Sequence, residues 1–305
     1  MAKLGVAAIQ IEGDGNDNVT LIEEETRAVA RRFPWVDIVV FGELAAYGPS
    51  PKKAEPEGGP LECRMADLAR ETGLYLIPGS YYQKRDGAIY NVSPVFNPEG
   101  EIIARHDKFF PFLPYEKGVA CGDSYCVFDI PGVGRLGLAI CYDMWFPEAM
   151  RTLAAMGAEA IILPTLTNTI DRDVELAIAR ANAAINQCYF IDVNCSGTLG
   201  NGRSAFYGPG GEVIYESGEG RDVAALRLDL QQVRDARADG WHGLGQVLKS
   251  FRDTQLEYPL HASAEARMTA MAGLGELTMP HSEASAGTGM ATTSQDTETQ
   301  GGIRK

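Results

Sequence analysis

The chain has 305 residues, 45% hydrophobic and 22% charged, the composition of a globular protein long enough to bury a sizeable core. Its 41 acidic against 27 basic residues give a formal charge of −14, which repels phosphate backbones and anionic bilayers, so no nucleic acid and no membrane partner is expected. No run is long and apolar enough to span a bilayer, and the apolar stretch near Met1 is too short for a signal-peptide core; the expectation is a cytoplasmic protein whose six cysteines are reduced thiols.

In chain order, β-rich runs alternate with helical patterns. Residues 4–10 read as a strand, 17–33 as a helix, 36–42 as a buried strand, 61–72 as a helix and 74–79 as another strand. A meander follows, with strands over 89–96 and 101–107 about the turn Asn97-Pro98-Glu99-Gly100, then strands over 124–130 and 135–141 about Pro131-Gly132. The spacing predicts a helix over 147–156, with Pro147 in its first turn and Gly157 past its end. A strand over 159–164 leads to a helix over 172–187 that places Val174, Ala177, Ile178, Ala181 and Ile185 on one face, with Asp171 as its candidate cap. Strands over 188–194, 204–207, 212–216 and 223–228 complete an α/β pattern with mixed sheets. From about residue 262 Ala, Ser, Thr, Gly and Met dominate, which divides the chain into a folded domain (1–261) and a flexible, low-complexity tail (262–305), with 287–305 expected to be disordered.

Chemistry is concentrated at strand ends. Residues 134–148 run Gly-Arg-Leu-Gly-Leu-Ala-Ile-Cys-Tyr-Asp-Met-Trp-Phe-Pro-Glu, a strand leading into Cys141 just before a helix. A lone cysteine there is more often a buried hydrophobe than a nucleophile. A thiol that attacks an amide needs a base for its proton and donors for the oxyanion. Of the four histidines, His242, His261 and His281 come late; His106 shares a strand face with Lys108, and a Cys–His pair stays open at this level. Glu43 ends one apolar run and Lys108 another; each alone reads as an ordinary surface charge. Together, a carboxylate, an ammonium and a thiol at strand ends form the set that amide hydrolysis requires.

These residues resemble the nitrilase superfamily of carbon–nitrogen hydrolases. Glu43 in Gly-Glu-Leu-Ala-Ala-Tyr-Gly, Lys108 in Arg-His-Asp-Lys-Phe-Phe and Cys141 in Ile-Cys-Tyr-Asp-Met-Trp-Phe-Pro-Glu match the family's Glu–Lys–Cys triad in order and spacing, and Glu116 matches its second glutamate. Residues 179–190 and the Gly202-Arg203-Ser204 to Pro209-Gly210-Gly211 stretch resemble its long helix and late hairpin, so the likeness covers about residues 3 to 235. The chain departs from the family's frequent choices at Gly42, Phe109 and Ile185, none of them in the triad.

The resemblance implies a four-layer α-β-β-α sandwich with two mixed β-sheets, pairing as a homodimer through the helices that start near Pro147 and Asp171. It implies hydrolysis of a small linear amide through a Cys141 thioester, with Glu43 as base, Lys108 and the Tyr142 backbone N–H as oxyanion donors, Glu116 as an orienting group, and no metal or organic cofactor. Tyr142-Asp143 after the cysteine resembles amide-cleaving branches and not nitrilases, and Trp145-Phe146-Pro147-Glu148 resembles the carbamoyl-amide hydrolases; an aliphatic amidase is the first expectation, an N-carbamoyl-amine hydrolase the second and a nitrilase the third. Acyl transfer to amines is a further alternative. Tyr47, Tyr115, Trp145 and Phe206 are candidate pocket residues beside Tyr142, although core packing explains aromatics equally well. The rival classes are an inactive binding homologue and a nucleotide-binding α/β protein; the latter lacks a Gly-x-Gly-x-x-Gly after its first strand.

Overall fold

The computed structural model describes residues 3–113 and 115–279. In chain order the elements that frame the site are β1 (Lys3–Gln10), α1 (Val19–Arg32), β2 (Ile38–Phe41), α2 (Pro60–Thr72), β3 (Tyr75–Ile77), β4 (Tyr81–Arg85), β5 (Ala88–Phe96), β6 (Ile102–Asp107), β7 (Cys126–Ile130) and β8 (Gly134–Leu138). They continue with α3 (Pro147–Ala155), β9 (Ala160–Pro164), α4 (Arg172–Asn186), β10 (Tyr189–Val193), β11 (Ala205–Tyr207), β12 (Val213–Glu216), β13 (Asp222–Asp229) and α5 (Gln231–Asp239).

Strand alternation explains the layering. Successive side chains of a strand face opposite ways, and in β1 both faces are apolar: Leu4, Val6 and Ala8 enter one core, Ala7 and Ile9 another. The first core lies between two sheets, because it also takes Ile38 and Val40 of β2, Leu136 and Leu138 of β8, Ile162 of β9 and Ile191 of β10. The second joins the first sheet to α1 and α2 through Val19, Ile22, Leu61, Met65 and Leu68. A third joins the other sheet to α3 and α4 through Met150, Leu153, Leu176, Ala179 and Phe190. The result is the α-β-β-α sandwich. Each fully buried aliphatic side chain contributes roughly 1.5–3 kcal/mol relative to exposure.

Both sheets are mixed. The first runs β13-β1-β2-β3-β5-β4, ends on the two residues Glu55–Pro56, and has β6 paired with β5. The second runs β12-β11-β10-β9-β8-β7. In each, three consecutive strands are parallel: β1, β2 and β3, and β8, β9 and β10.

The structure corrects several details of the sequence reading. β4 was not expected; it forms a hairpin with β5 across Asp86 and Gly87, both with positive φ, a turn that Asp-Gly favours. The strand expected over 135–141 stops at Leu138, and Cys141 instead opens a 3₁₀ segment, Cys141–Trp145. Asp171 holds the cap position of α4 without a side-chain capping bond. The face of α4 carrying Val174, Ala177, Ala181 and Ile185 points to solvent; Leu176, Ala179 and Ala183 are its buried face.

The described residues through Tyr258 form one compact unit, and a second begins at Pro259. In the second, helices Pro259–Ala262 and Ala264–Ala270 follow each other, the latter capped by the Ser263 hydroxyl, which accepts the Ala266 N–H at 3.0 Å. The disorder expected over 287–305, and His281, lie outside the described residues. Among the described residues no helix is long and apolar enough to cross a membrane, and no group of three or more His, Cys, Asp or Glu is arranged to hold a metal.

Candidate active site

Both sheets contribute to one buried cluster at their strand ends. Glu43 lies just past β2 and Lys108 just past β6, both in the first sheet, whereas Cys141 lies past β8 in the second. The Glu43 backbone N–H donates to Thr165 O at 3.0 Å, which ties the end of β2 to the end of β9. Lys108 Nζ donates to Glu43 Oε1 and to Glu116 Oε2, each at 2.7 Å. These three side chains are at most 3% exposed, and Cys141 is 7% exposed.

Sheet register adds two residues that the sequence reading missed. Tyr82 on β4 pairs with Asn91 on β5, and the Lys108 backbone N–H donates to Asn91 O at 2.9 Å, so the three stand side by side across adjacent strands. Asn91 Nδ2 donates to Glu43 Oε1 at 2.8 Å and to Glu116 Oε1 at 2.7 Å. The Tyr82 hydroxyl reaches Glu116 Oε1 at 3.4 Å, and the Phe112 N–H donates to Glu116 Oε2 at 2.7 Å. The available signal was a polar residue inside a β-rich run, Asn91 between Tyr90 and Val92, where burial demands a partner.

The segment around Cys141 is held in an uncommon conformation. Cys141 has φ +47°, in the left-handed region that a side chain with a Cβ enters only when its surroundings fix it. The fixing group is Asp143, fully buried: Oδ2 accepts the Ile140 N–H at 3.0 Å and faces His106 Nε2 at 2.9 Å, while Oδ1 accepts the Phe110 N–H at 3.0 Å. His106 therefore braces the turn through Asp143 and is not the partner of the thiol, which resolves the Cys–His alternative.

Electrostatics follow from burial. Burial raises the Glu43 carboxyl above the ordinary carboxylate range, against the pull of Lys108; the Cys141 thiol is among its hydrogen-bonding neighbours. Burial likewise opposes the Lys108 charge, but Glu43 and Glu116 outweigh it and hold the ammonium well above the usual lysine range. Burial and the Glu43 charge push the Cys141 thiol well up. The resting thiol is thus neutral, and the sulfur becomes anionic only as its proton leaves.

Aromatic residues adjoin Glu116 and Cys141 in the chain and pack on one another. Phe112 lies edge-on to Tyr142 at 5.2 Å and near Tyr115 at 5.8 Å, Tyr142 lies 6.1 Å from Trp145, and Phe110 stacks on Phe146 at 3.5 Å. The chain matches the family model described as carbon-nitrogen hydrolase over residues 4–238. It belongs to the carbon–nitrogen hydrolase family. Human omega-amidase NIT2 is 28% identical over 254 residues, covering 77% of this chain and 91% of that protein. The crystal structure of Saccharomyces cerevisiae Nit3, described as a member of branch 10 of the nitrilase superfamily, superimposes with a TM-score of 0.70 at 25% identity, covering 78% of this chain and 94% of that one. An amidase from Nesterenkonia sp. shares the fold, with a TM-score of 0.67 at 23% identity over 77% of this chain and 94% of that one.

In this carbon–nitrogen hydrolase, two expected pocket residues lie elsewhere. Phe206 on β11 is fully buried in the core between the sheets, because its neighbours Ala205 and Tyr207 take the helix-facing side. Tyr47 donates its hydroxyl to Glu55 Oε1 at 2.6 Å and lines a separate surface hollow with Asn16, Asp17 and Lys53. Tyr115, Tyr142 and Trp145 belong to one chain of ring contacts through Phe112.

Another buried group, also unread in the sequence, bears on the thiol through its charge. Glu175 of α4 accepts the Thr167 hydroxyl at 2.5 Å and pairs with Arg172 at 3.3 Å, which in turn pairs with Asp192 at 2.8 Å. Burial pushes the Glu175 carboxyl up to about 7, the Thr167 hydrogen bond and Arg172 opposing and Asp192 adding to the rise. Its charge is among those that raise Cys141.

Proposed function

We propose that the protein hydrolyses small linear amides to a carboxylic acid and ammonia, with Cys141 as nucleophile, Glu43 as base and Lys108 as oxyanion donor. The observation that carries this reading is the distribution of donors over two carboxylates. Glu116 accepts from Lys108, Asn91, Tyr82 and the Phe112 backbone, so both its oxygens are occupied. Glu43 takes Lys108 and Asn91 on Oε1 alone, which leaves Oε2 for the thiol. Glu43 is therefore the carboxylate free to move a proton, and Glu116 is a fixed counter-charge that orients Lys108.

The steps follow from that division. As sulfur attacks the amide carbon, its proton passes to Glu43. The carbonyl oxygen becomes an oxyanion facing Lys108 and the Tyr142 N–H; a single donor of this kind typically contributes about 10²–10³ in rate. Glu43 returns the proton to the amide nitrogen, the C–N bond breaks, and ammonia departs from a thioester on Cys141. Water then attacks the thioester, Glu43 takes its proton and passes it to the sulfur, and the acid leaves. Tyr115, Tyr142 and Trp145 line the approach. The kinship with omega-amidase NIT2 supports an amide as substrate.

The test is ammonia release from a panel of small amides, carbamoyl-amines and nitriles. Wild type is expected to act on amides and Cys141→Ala to fold without turnover. Full activity of that variant on any wild-type substrate would refute the reading; an acyl adduct on Cys141, found by mass spectrometry, supports it independently.

The protein further pairs as a homodimer through α3 and α4. Val174, Ile185 and Met156 leave apolar surface in the open, 49%, 37% and 39% exposed, on a chain of otherwise acidic character. A sedimentation mass of one chain at micromolar protein would count against it.

A further inference from the structure

We propose that Asn91 is a positioning residue that fixes the plane of the Glu43 carboxylate, so that its free oxygen faces the thiol, by clamping Glu43 and Glu116 together with its side-chain amide. The inference rests on the reaction proposed above and assigns the part of it that neither glutamate nor lysine performs.

Two carboxylates held within reach of one ammonium repel each other, and one ammonium cannot satisfy four carboxylate oxygens. Asn91 Nδ2 supplies a hydrogen to each, at 2.8 Å to Glu43 Oε1 and 2.7 Å to Glu116 Oε1. Its orientation is fixed by charge. The flipped amide would aim Oδ1 at both carboxylates, so only the NH₂ group can face them. The residue is fully buried on β5, one of the central strands of its sheet, and is held laterally by Tyr82 on one side and Lys108 on the other. It cannot swing away.

The consequence concerns a single torsion. A carboxylate held by a single donor can still twist about its last bond. Lys108 and Asn91 grip Glu43 Oε1 from two directions, which stops that rotation and keeps Oε2 on the sulfur side. With Lys108 alone, the carboxylate plane could twist about that one contact and carry the free oxygen away from the sulfur. Asn91 touches no reacting atom in this scheme; it acts through Glu43.

The test uses the full-length protein with Asn91→Ala, Asn91→Asp and Cys141→Ala, following kcat and KM on a cleaved amide across pH, with thermal unfolding in parallel. Asn91→Ala is expected to lower kcat about 10- to 100-fold with KM little changed, and to move the acid limb of kcat/KM about one pH unit upward, because a hydrogen bond to the charged form of Glu43 is gone. Asn91→Asp keeps the volume but sets a third carboxylate in the cluster, and should move the limb further. A residue that only fills space would lower the folded fraction and leave the limb where it is; that result in either folded variant overturns the inference. Turnover by Cys141→Ala would instead bring down the reaction itself. Should neither Asn91 variant fold, the wild type decides: side-chain amide protons of Asn91 clamped by two carboxylates exchange slowly and shift with the acid limb, and fast exchange without such a shift overturns the clamp.

Discussion

Glu43 and Glu116 both touch one ammonium, and Glu43, as the proposed base, is expected to leave its mark on the pH profile. Turnover requires its carboxylate form, and burial has raised it, so activity should disappear on acidification at a pH above the ordinary carboxylate range. An acid limb at an unperturbed carboxylate value would contradict this. Glu175 gives a separate prediction on stability. Its folded-state value is about 7 against an ordinary 4.5. A raised value means the fold prefers the protonated form, so its contribution is complete below about 4.5 and is lost as pH rises through about 7. At about 1.4 kcal/mol per pH unit, the loss amounts to roughly 3 kcal/mol. Urea unfolding of wild type and Glu175→Gln should therefore diverge as pH climbs through that window, the variant gaining on the wild type. Parallel curves would count against it.

At the level of elements, the turn after β8 governs the setting of Cys141. Asp143 holds the Ile140 and Phe110 N–H groups and His106 together. Asp143→Ala would leave these buried donors unpaired and free the strained backbone at Cys141. The expected cost is about 3 kcal/mol or more in stability, with most activity lost even in the folded fraction; an unchanged melting temperature would refute the bracing role. This element also shows what a sequence can and cannot disclose. Glu43, Lys108 and Cys141 could be brought together on paper because each ends a β-rich run, and their order, with Glu116 added by the resemblance, matches a family. Asn91 and Asp143 could not, since their importance lies across strands: Asn91 meets Glu43 from 48 positions away, and Asp143 meets His106 from 37. The end of β8 was overrun because Ala139, Ile140 and Cys141 continue its apolar pattern, and only the φ of Cys141 reveals the change of direction.

For the whole molecule, the harder question was which of two apolar faces each strand turns inward. Strand periodicity cannot decide it, because helices cover one side and a second sheet the other. Phe206 was misassigned for that reason. Placed between the sheets, Phe206→Ala should cost about 3–5 kcal/mol while leaving KM unchanged at a temperature where the variant is folded. A raised KM with normal stability would return Phe206 to the pocket. The exposed face of α4 yields a parallel test: Val174→Lys with Ile185→Lys should convert a dimer to single chains, and an unaltered mass would place the contact elsewhere.

Glu43 and Lys108 hang from one sheet and Cys141 from the other. Turnover is thus a gauge of the gap between the two plates. A displacement of about 1 Å at reacting atoms can cost 10²-fold in rate, so a trimmed side chain deep between the plates can silence the enzyme while its circular dichroism still looks native. Inactive variants that remain folded should accordingly cluster in that inner seam, far from any atom of the substrate.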